Sequence, residues 1–376
     1  MIKLFSSANK QHKTCRRHLL TMGLLLGLLL QSTSIWAYSF VSALDNRIKY
    51  VGRVTMASGK YVRMSYPGTQ IHAVFSGTSL RMKMKPNSGY YMVEMDALPP
   101  FKVQCPEKDS VMCVSDSLAQ GEHRATITFC TEGLLYKPQF FGFLFDDGCG
   151  LTSEPQLPAR KIEFIGNSIT CGFGIESHNP KDPFRYSTEN QFYTYAAITA
   201  RSLDAQCFVV ARSGIGVYRN YGGKVTGTKG IMPDVYPYTV FGTSGEKWDF
   251  SKFTPDVVCV NLGTNDTSTP GYRSNLLYNG YWTFYKTLRQ HYPDAKIVLL
   301  TGTMLSAGSK RLSDVQTALD KVRSEAAAQG DTEVYRFDMT PEDGSLGWGS
   351  CYHPSMERQA QMAEELTPYL REIMGW

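Results

Sequence analysis

Two kinds of hydrophobic periodicity divide the chain. From residue 38 to residue 155, apolar and polar positions alternate in short runs. Examples are Tyr61-Val62-Arg63-Met64, Ile71-His72-Ala73-Val74-Phe75, Leu80-Arg81-Met82-Lys83-Met84, Tyr90-Tyr91-Met92-Val93-Glu94-Met95 and Arg124-Ala125-Thr126-Ile127-Thr128-Phe129. A period of two turns one face of each run toward a core and the other toward solvent. No convincing amphipathic helix interrupts them. Regular short strands separated by turns predict a β-sandwich such as a jelly roll. Thr152-Ser153-Glu154-Pro155-Gln156-Leu157-Pro158 then carries the prolines of a linker.

From residue 160 the pattern becomes an alternation of strand and helix. The strand candidates are Ile162–Ile165, Phe208–Ala211, Val257–Leu262, Ile297–Thr301 and Val334–Phe337. Helical stretches lie around Tyr193–Leu203, Leu277–His291 and Asp314–Gln329, with a last helix after Ser355. Strands separated by helices in this way predict an α/β domain with a doubly wound parallel sheet. Two domains are expected, over residues 38–155 and 156–376.

Residues 1–37 stand apart from both patterns. Lys3, Lys10, Lys13, Arg16 and Arg17 precede the apolar run Leu19–Leu30, and a cleavage point follows at Ala37. That arrangement predicts a secretory signal peptide and a secreted or periplasmic protein. The apolar run is short for a membrane span, so an uncleaved anchor is the weaker reading. The leader's five basic residues account for the whole formal charge of +5, leaving 34 basic residues facing 34 acidic ones. A neutral mature chain points to neither nucleic acid nor a membrane as a partner.

Cys15 belongs to the leader. The other cysteines form no Cys-x-x-Cys pair and no zinc-spaced cluster with histidine, so no metal and no cofactor is expected. Export permits disulfides, and Cys105 and Cys113 could close a short loop. Cys207 and Cys259 lie in apolar strand-like runs that suit free buried thiols.

The chemistry gathers at the ends of the predicted parallel strands. Ser168, in Gly166-Asn167-Ser168-Ile169-Thr170, follows the first of them, where open α/β sheets bind ligands. A serine hydroxyl needs a base, and His353 lies between the last strand and the last helix at the same sheet edge. His178, on a loop soon after Ser168, is the one serious competitor. Asn265 follows the third strand and offers a side-chain amide to a developing oxyanion. The backbone N–H of Ser168 and that of a glycine after the second strand, Gly216 or Gly214, would complete the hole. Nucleophile, base and donors together are what ester hydrolysis requires.

In this order the blocks resemble the SGNH (GDSL-type) hydrolases: Gly166-Asn167-Ser168-Ile169-Thr170, the Gly216 block, Gly263-Thr264-Asn265-Asp266 and His353 before a final helix. Ile48-Lys49-Tyr50-Val51-Gly52-Arg53, the β-sandwich and the run from Pro341 to Ser355 are similar to carbohydrate esterase family 2. That resemblance implies a jelly roll joined to an SGNH domain that deacetylates plant polysaccharide of the xylan or glucomannan type. It implies Ser168 and His353 as catalytic residues, with Ser168, Gly216 and Asn265 around the oxyanion. Many SGNH enzymes carry an aspartate three residues before the histidine, where this chain has Ser350. The resemblance therefore implies a Ser–His dyad, with Asp338 and Asp343 the acids nearest in sequence. Tyr218, Tyr221, Trp348 and Tyr352 are candidates for packing on sugar rings. Two other readings use the same residues: a carbohydrate-binding protein with little catalysis, and a lipid or thioester hydrolase on the same scaffold.

Overall fold

The computed structural model describes residues 38–376. The signal peptide expected over residues 1–37 lies outside the described residues. The alternating half forms β1 (Tyr38–Ser42), β2 (Lys49–Val51), β3 (Val54–Thr55), β4 (Val62–Met64), β5 (Gln70–Gly77) and β6 (Leu80–Met84). β7 (Tyr90–Met95), β8 (Phe101–Gln104), β9 (Val111–Ser115) and β10 (Gly121–Phe129) follow, then the one-turn helix α1 (Gly133–Tyr136), β11 (Gln139–Asp146) and β12 (Leu151–Ser153). One sheet runs β3-β4-β11-β6-β9 with β1 on β11, and the other runs β12-β5-β10-β7-β8 with β2 on β5. Alternate residues fill the space between them: Ile71, Ala73 and Phe75 of β5 share one buried cluster with Phe140, Phe143 and Phe145 of β11. Burying apolar side chains at roughly 25 cal/mol per Å² makes such a shared face the main force holding the sandwich closed.

The disulfide allowed between Cys105 and Cys113 is not formed, and both thiols are free. Cys105 follows β8 in one sheet, whereas Cys113 lies on β9 in the other. Closeness in sequence does not carry across the sandwich. Cys207 and Cys259 are free and buried, as expected.

The second half forms β13 (Arg160–Gly166), α2 (Ser168–Cys171), α3 (Tyr195–Ser202), β14 (Ala205–Ala211), α4 (Met232–Val235) and β15 (Val257–Asn261). α5 (Ser274–His291), β16 (Lys296–Thr301), α6 (Lys310–Ala328), β17 (Val334–Asp338) and α7 (Met356–Met374) complete it. All pairings in its sheet are parallel, in the order β14-β13-β15-β16-β17. α5 and α6 bury Leu277, Phe284, Val315 and Leu319 on one face, while α3 and α7 bury Tyr195, Ala196, Met362 and Leu366 on the other. Both faces being covered, β15 is apolar without alternation (Val257-Val258-Cys259-Val260), which is why its sequence is a continuous run. The strand order reverses between β13 and β15. In open sheets ligands bind at such a point, outside the carboxyl ends of the strands, and Ser168 and Asn265 follow those two strands.

A buried ion pair ties the two halves together within Ser39–Trp376, a single compact unit. Arg53, just beyond β2, lies 3.4 Å from Glu163 of β13, and both side chains are fully buried. Arg53 also donates to the Tyr236 and Tyr238 carbonyls, and the Tyr236 and Trp248 rings flank its guanidinium. The Ile48–Arg53 segment thus carries a cation from the sandwich into the hydrolase layer.

Candidate active site

The turn from β13 into α2 places Ser168 at the first position of a very short helix. Asn167 caps that helix, its Oδ1 accepting the Ile169 N–H at 3.0 Å. Gln359 of α7 clamps it from behind, donating to the Ile169 carbonyl and accepting the Tyr195 N–H. Ser168 is buried but retains 7% exposure. Among the described residues its N–H has no acceptor.

His353 Nε2 lies 2.9 Å from Ser168 Oγ. Its Nδ1 faces the Ser350 carbonyl at 3.2 Å. A carbonyl only accepts, so Nδ1 carries the proton and Nε2 offers its lone pair to the serine hydroxyl. The tight turn before His353 sets this geometry. Cys351 and Tyr352 are both left-handed (φ 53° and 57°), and the His353 N–H returns to the same Ser350 carbonyl. Such φ values are uncommon for side-chain-bearing residues and persist where surrounding structure enforces them. The imidazole also stacks on Phe173, centroids 4.1 Å apart, and Phe173 stacks on Phe184. Burial pulls the His353 pKa down from 6.5 to about 4, against the upward pull of the Ser350 and Cys351 carbonyls.

Neither aspartate near the histidine in sequence meets it. Asp338 pairs with Gln316 and Arg336, and Asp343 caps its own turn through the Ser345 N–H. His178 is exposed.

Asn265 donates from Nδ2 to the Ile215 carbonyl at 2.8 Å, which orients the amide and leaves its second N–H for a ligand. Gly216 is placed differently from the expectation. Its N–H donates to Asn220 Oδ1 at 3.2 Å, and a Cβ there would lie 2.0 Å from the Arg219 carbonyl oxygen. It is a packing glycine. Gly214 is left-handed (φ +77°), and a Cβ there would meet nothing nearer than Tyr221 Cβ at 3.8 Å. Among the described residues, its N–H is the one amide of residues 212–221 without an acceptor in the chain.

Asp266 organises this loop and was not singled out from the sequence, although it adjoins Asn265. Fully buried, it accepts the N–H groups of Val217, Tyr218, Arg219 and Gly263. Burial raises its pKa, and the four N–H donors act in the opposite direction by favouring the carboxylate. Of the four candidate sugar-packing rings, Tyr218 is buried and its hydroxyl accepts the Arg273 N–H, so it belongs to the core. Tyr221 and Tyr352 are exposed, and Trp348 packs edge-on against Tyr352.

A serine, a histidine and three N–H donors at the carboxyl edge of a five-stranded parallel sheet define a GDSL-like hydrolase. Residues 164–360 match the model of the GDSL-like lipase/acylhydrolase family, and residues 50–155 match that of the carbohydrate esterase 2 N-terminal domain. The chain belongs to carbohydrate esterase family 2, and with it to the carboxylic ester hydrolases. It is 30% identical over 344 residues to an acetylxylan esterase / glucomannan deacetylase of Cellvibrio japonicus, covering 89% of this chain and 91% of that protein. It is 36% identical over 332 residues to the cellulase/esterase CelE of Acetivibrio thermocellus, covering 88% of this chain but 40% of CelE. The structure of a family two carbohydrate esterase from Clostridium thermocellum in complex with cellohexaose superposes with a TM-score of 0.81. That pair shares 36% identity over 88% of this chain and 99% of the other.

Proposed function

We propose that the protein is an O-acetyl esterase acting on acetylated plant polysaccharide, of the xylan or glucomannan type, through a Ser168–His353 dyad. The single observation that carries this reading is the 2.9 Å approach of His353 Nε2 to Ser168 Oγ, with Nδ1 held by a carbonyl. Ser168 Oγ attacks the acetyl carbonyl carbon as its proton passes to Nε2. The tetrahedral oxyanion is held by the N–H groups of Ser168 and Gly214 and by Asn265 Nδ2. The sugar oxygen leaves with the proton from Nε2, giving an acetyl-serine. Water then attacks the acetyl carbon, gives its proton to Nε2, and acetate departs as Ser168 recovers its own. Gly214 replaces Gly216 in this scheme because its amide is unengaged.

Exposed Tyr221 and Tyr352, with Trp348, suit a sugar chain lying across the cleft. The names of the Cellvibrio japonicus relative and the cellohexaose in the Clostridium thermocellum structure support a β-linked polysaccharide. Export follows from residues 1–37, read as a cleaved signal peptide. The test is acetate release from acetylated xylan, acetylated glucomannan and an activated acetyl ester, with Ser168→Ala as control. Binding of the polysaccharides without acetate release would make the protein a carbohydrate-binding module instead.

A further inference from the structure

The loop that carries Gly214 is held from outside the hydrolase sheet. Glu132, between β10 and α1 of the sandwich, accepts the Ser213 N–H on Oε1 at 2.8 Å. Its own N–H donates to Glu189 Oε2 at 3.0 Å, and both glutamates are buried, at 5% and 0% exposed. Cys171, the last residue of the helix that begins at Ser168, completes the cluster. One side-chain oxygen from each glutamate and the thiol sulfur all lie within 4.8 Å of one another. Two segments of the proposed site, the end of α2 and Ser213 beside Gly214, therefore meet here with Glu189 of the segment before α3.

We propose that Glu132 is a positioning residue for the hydrolytic reaction: the sandwich uses it to hold Ser213 so that the Gly214 N–H faces the oxyanion. This rests on the oxyanion assignment above. The geometry is specific. Ser213 is the residue before Gly214, so the peptide plane between them carries the Gly214 N–H. The peptide planes on either side of it are both held: the Ser213 N–H, in the plane before, donates to Glu132 at 2.8 Å, and the Gly214 carbonyl, in the plane after, accepts the Tyr221 N–H.

The burial of the pair supports a rigid hold. Two buried carboxylates side by side cannot both ionise. Burial and the neighbouring Glu132 push the Glu189 pKa well above the usual carboxylate range. Glu189 is thereby shifted toward its neutral form, and its buried Oε1 has no hydrogen-bond partner among the described residues.

The experiment compares Glu132→Ala, Glu132→Asp and Glu132→Gln on an activated acetyl ester, with folding checked by circular dichroism and thermal melting. Misplacing one donor should lower kcat about 10- to 100-fold in the Ala and Asp variants, with KM within about threefold of the parent. Gln keeps an acceptor oxygen for Ser213 and should restore kcat to within about threefold. If the Ala variant does not fold, the contrast between Asp and Gln decides. Folded Ala or Asp variants with unchanged kcat would overturn the proposal, as would a loss confined to KM. A kcat lost to a chelator and regained with a divalent cation would also overturn it, by making the cluster an ion site. Asn265→Ala separates this from failure of the underlying reading. It should lose about 10²–10³ in kcat if the oxyanion assignment holds, whatever Glu132 does.

Discussion

His353 lies face to face with Phe173, ring centroids 4.1 Å apart and planes within 28°. On its edge it meets the Ser350 carbonyl. An aromatic face and a neutral carbonyl thus fix the orientation that a buried carboxylate supplies in a full triad. Neither gives the imidazolium a full negative charge nearby.

Ser168→Ala and His353→Ala should each reduce kcat on an acetyl ester by several orders of magnitude. The double variant should be little slower than either single one, because the two side chains act as one unit; subtilisin, where each loss is on the order of 10⁶, is the measured precedent. Steady-state kinetics of the three variants checks this. Losses that multiply would separate the two residues.

Asp338→Asn and Asp343→Asn should leave kcat within about threefold of the parent. Both carboxylates bond to groups of their own neighbourhood rather than to His353, and surface changes of this kind cost about 0.5 kcal/mol or less. A folded variant of either kind with a thousandfold loss would place a carboxylate in the relay.

The pH dependence should split activity from stability. The base must be neutral, and burial brings His353 down to about 4, so the acid limb of kcat/KM should fall near pH 4 instead of near 6.5. His72, half-buried on β5, is also lowered to about 4 by desolvation. Between about 6.5 and about 4 the unfolded chain binds protons at both histidines while the folded chain does not. Stability should therefore decline as pH falls through that window. Initial rates and denaturant melts from pH 3.5 to 8 would test both curves. A kcat/KM midpoint above pH 6 would count against a desolvated His353.

Arg53→Ala should destabilise the protein by about 3–5 kcal/mol, because it leaves Glu163 buried without a counter-charge. Replacing both with apolar residues, Arg53→Met with Glu163→Met, should recover much of that loss, since the pair's own desolvation cost is removed too. Urea unfolding of the two variants measures this. A single variant as stable as the parent would make the pair incidental to the junction.

Periodicity alone was enough for the two architectures. Alternation marked β6 and β7 to the residue, and the parallel strands were legible because a sheet covered on both faces needs unbroken apolar runs. Ser168, Asn265 and His353 were legible because each sits at a strand end or before a helix, and strand ends in such a sheet share one edge. Local signals stopped there. β8, β9 and β11 went unmarked in a half where pairing partners, more than local propensity, decide what becomes a strand. Whether Gly214 or Gly216 has a free amide depends on Asn220 and Asp266 folding back onto the loop. That Tyr218 is core and Tyr221 is exposed follows from how the same loop packs on α5. Phe173 beneath His353, and Glu132 reaching Ser213 across 81 positions, depend on side chains distant in sequence. No spacing records such meetings; they exist only once hydrophobic burial has brought the sandwich and the sheet together, leaving each buried polar group to find a partner across the junction.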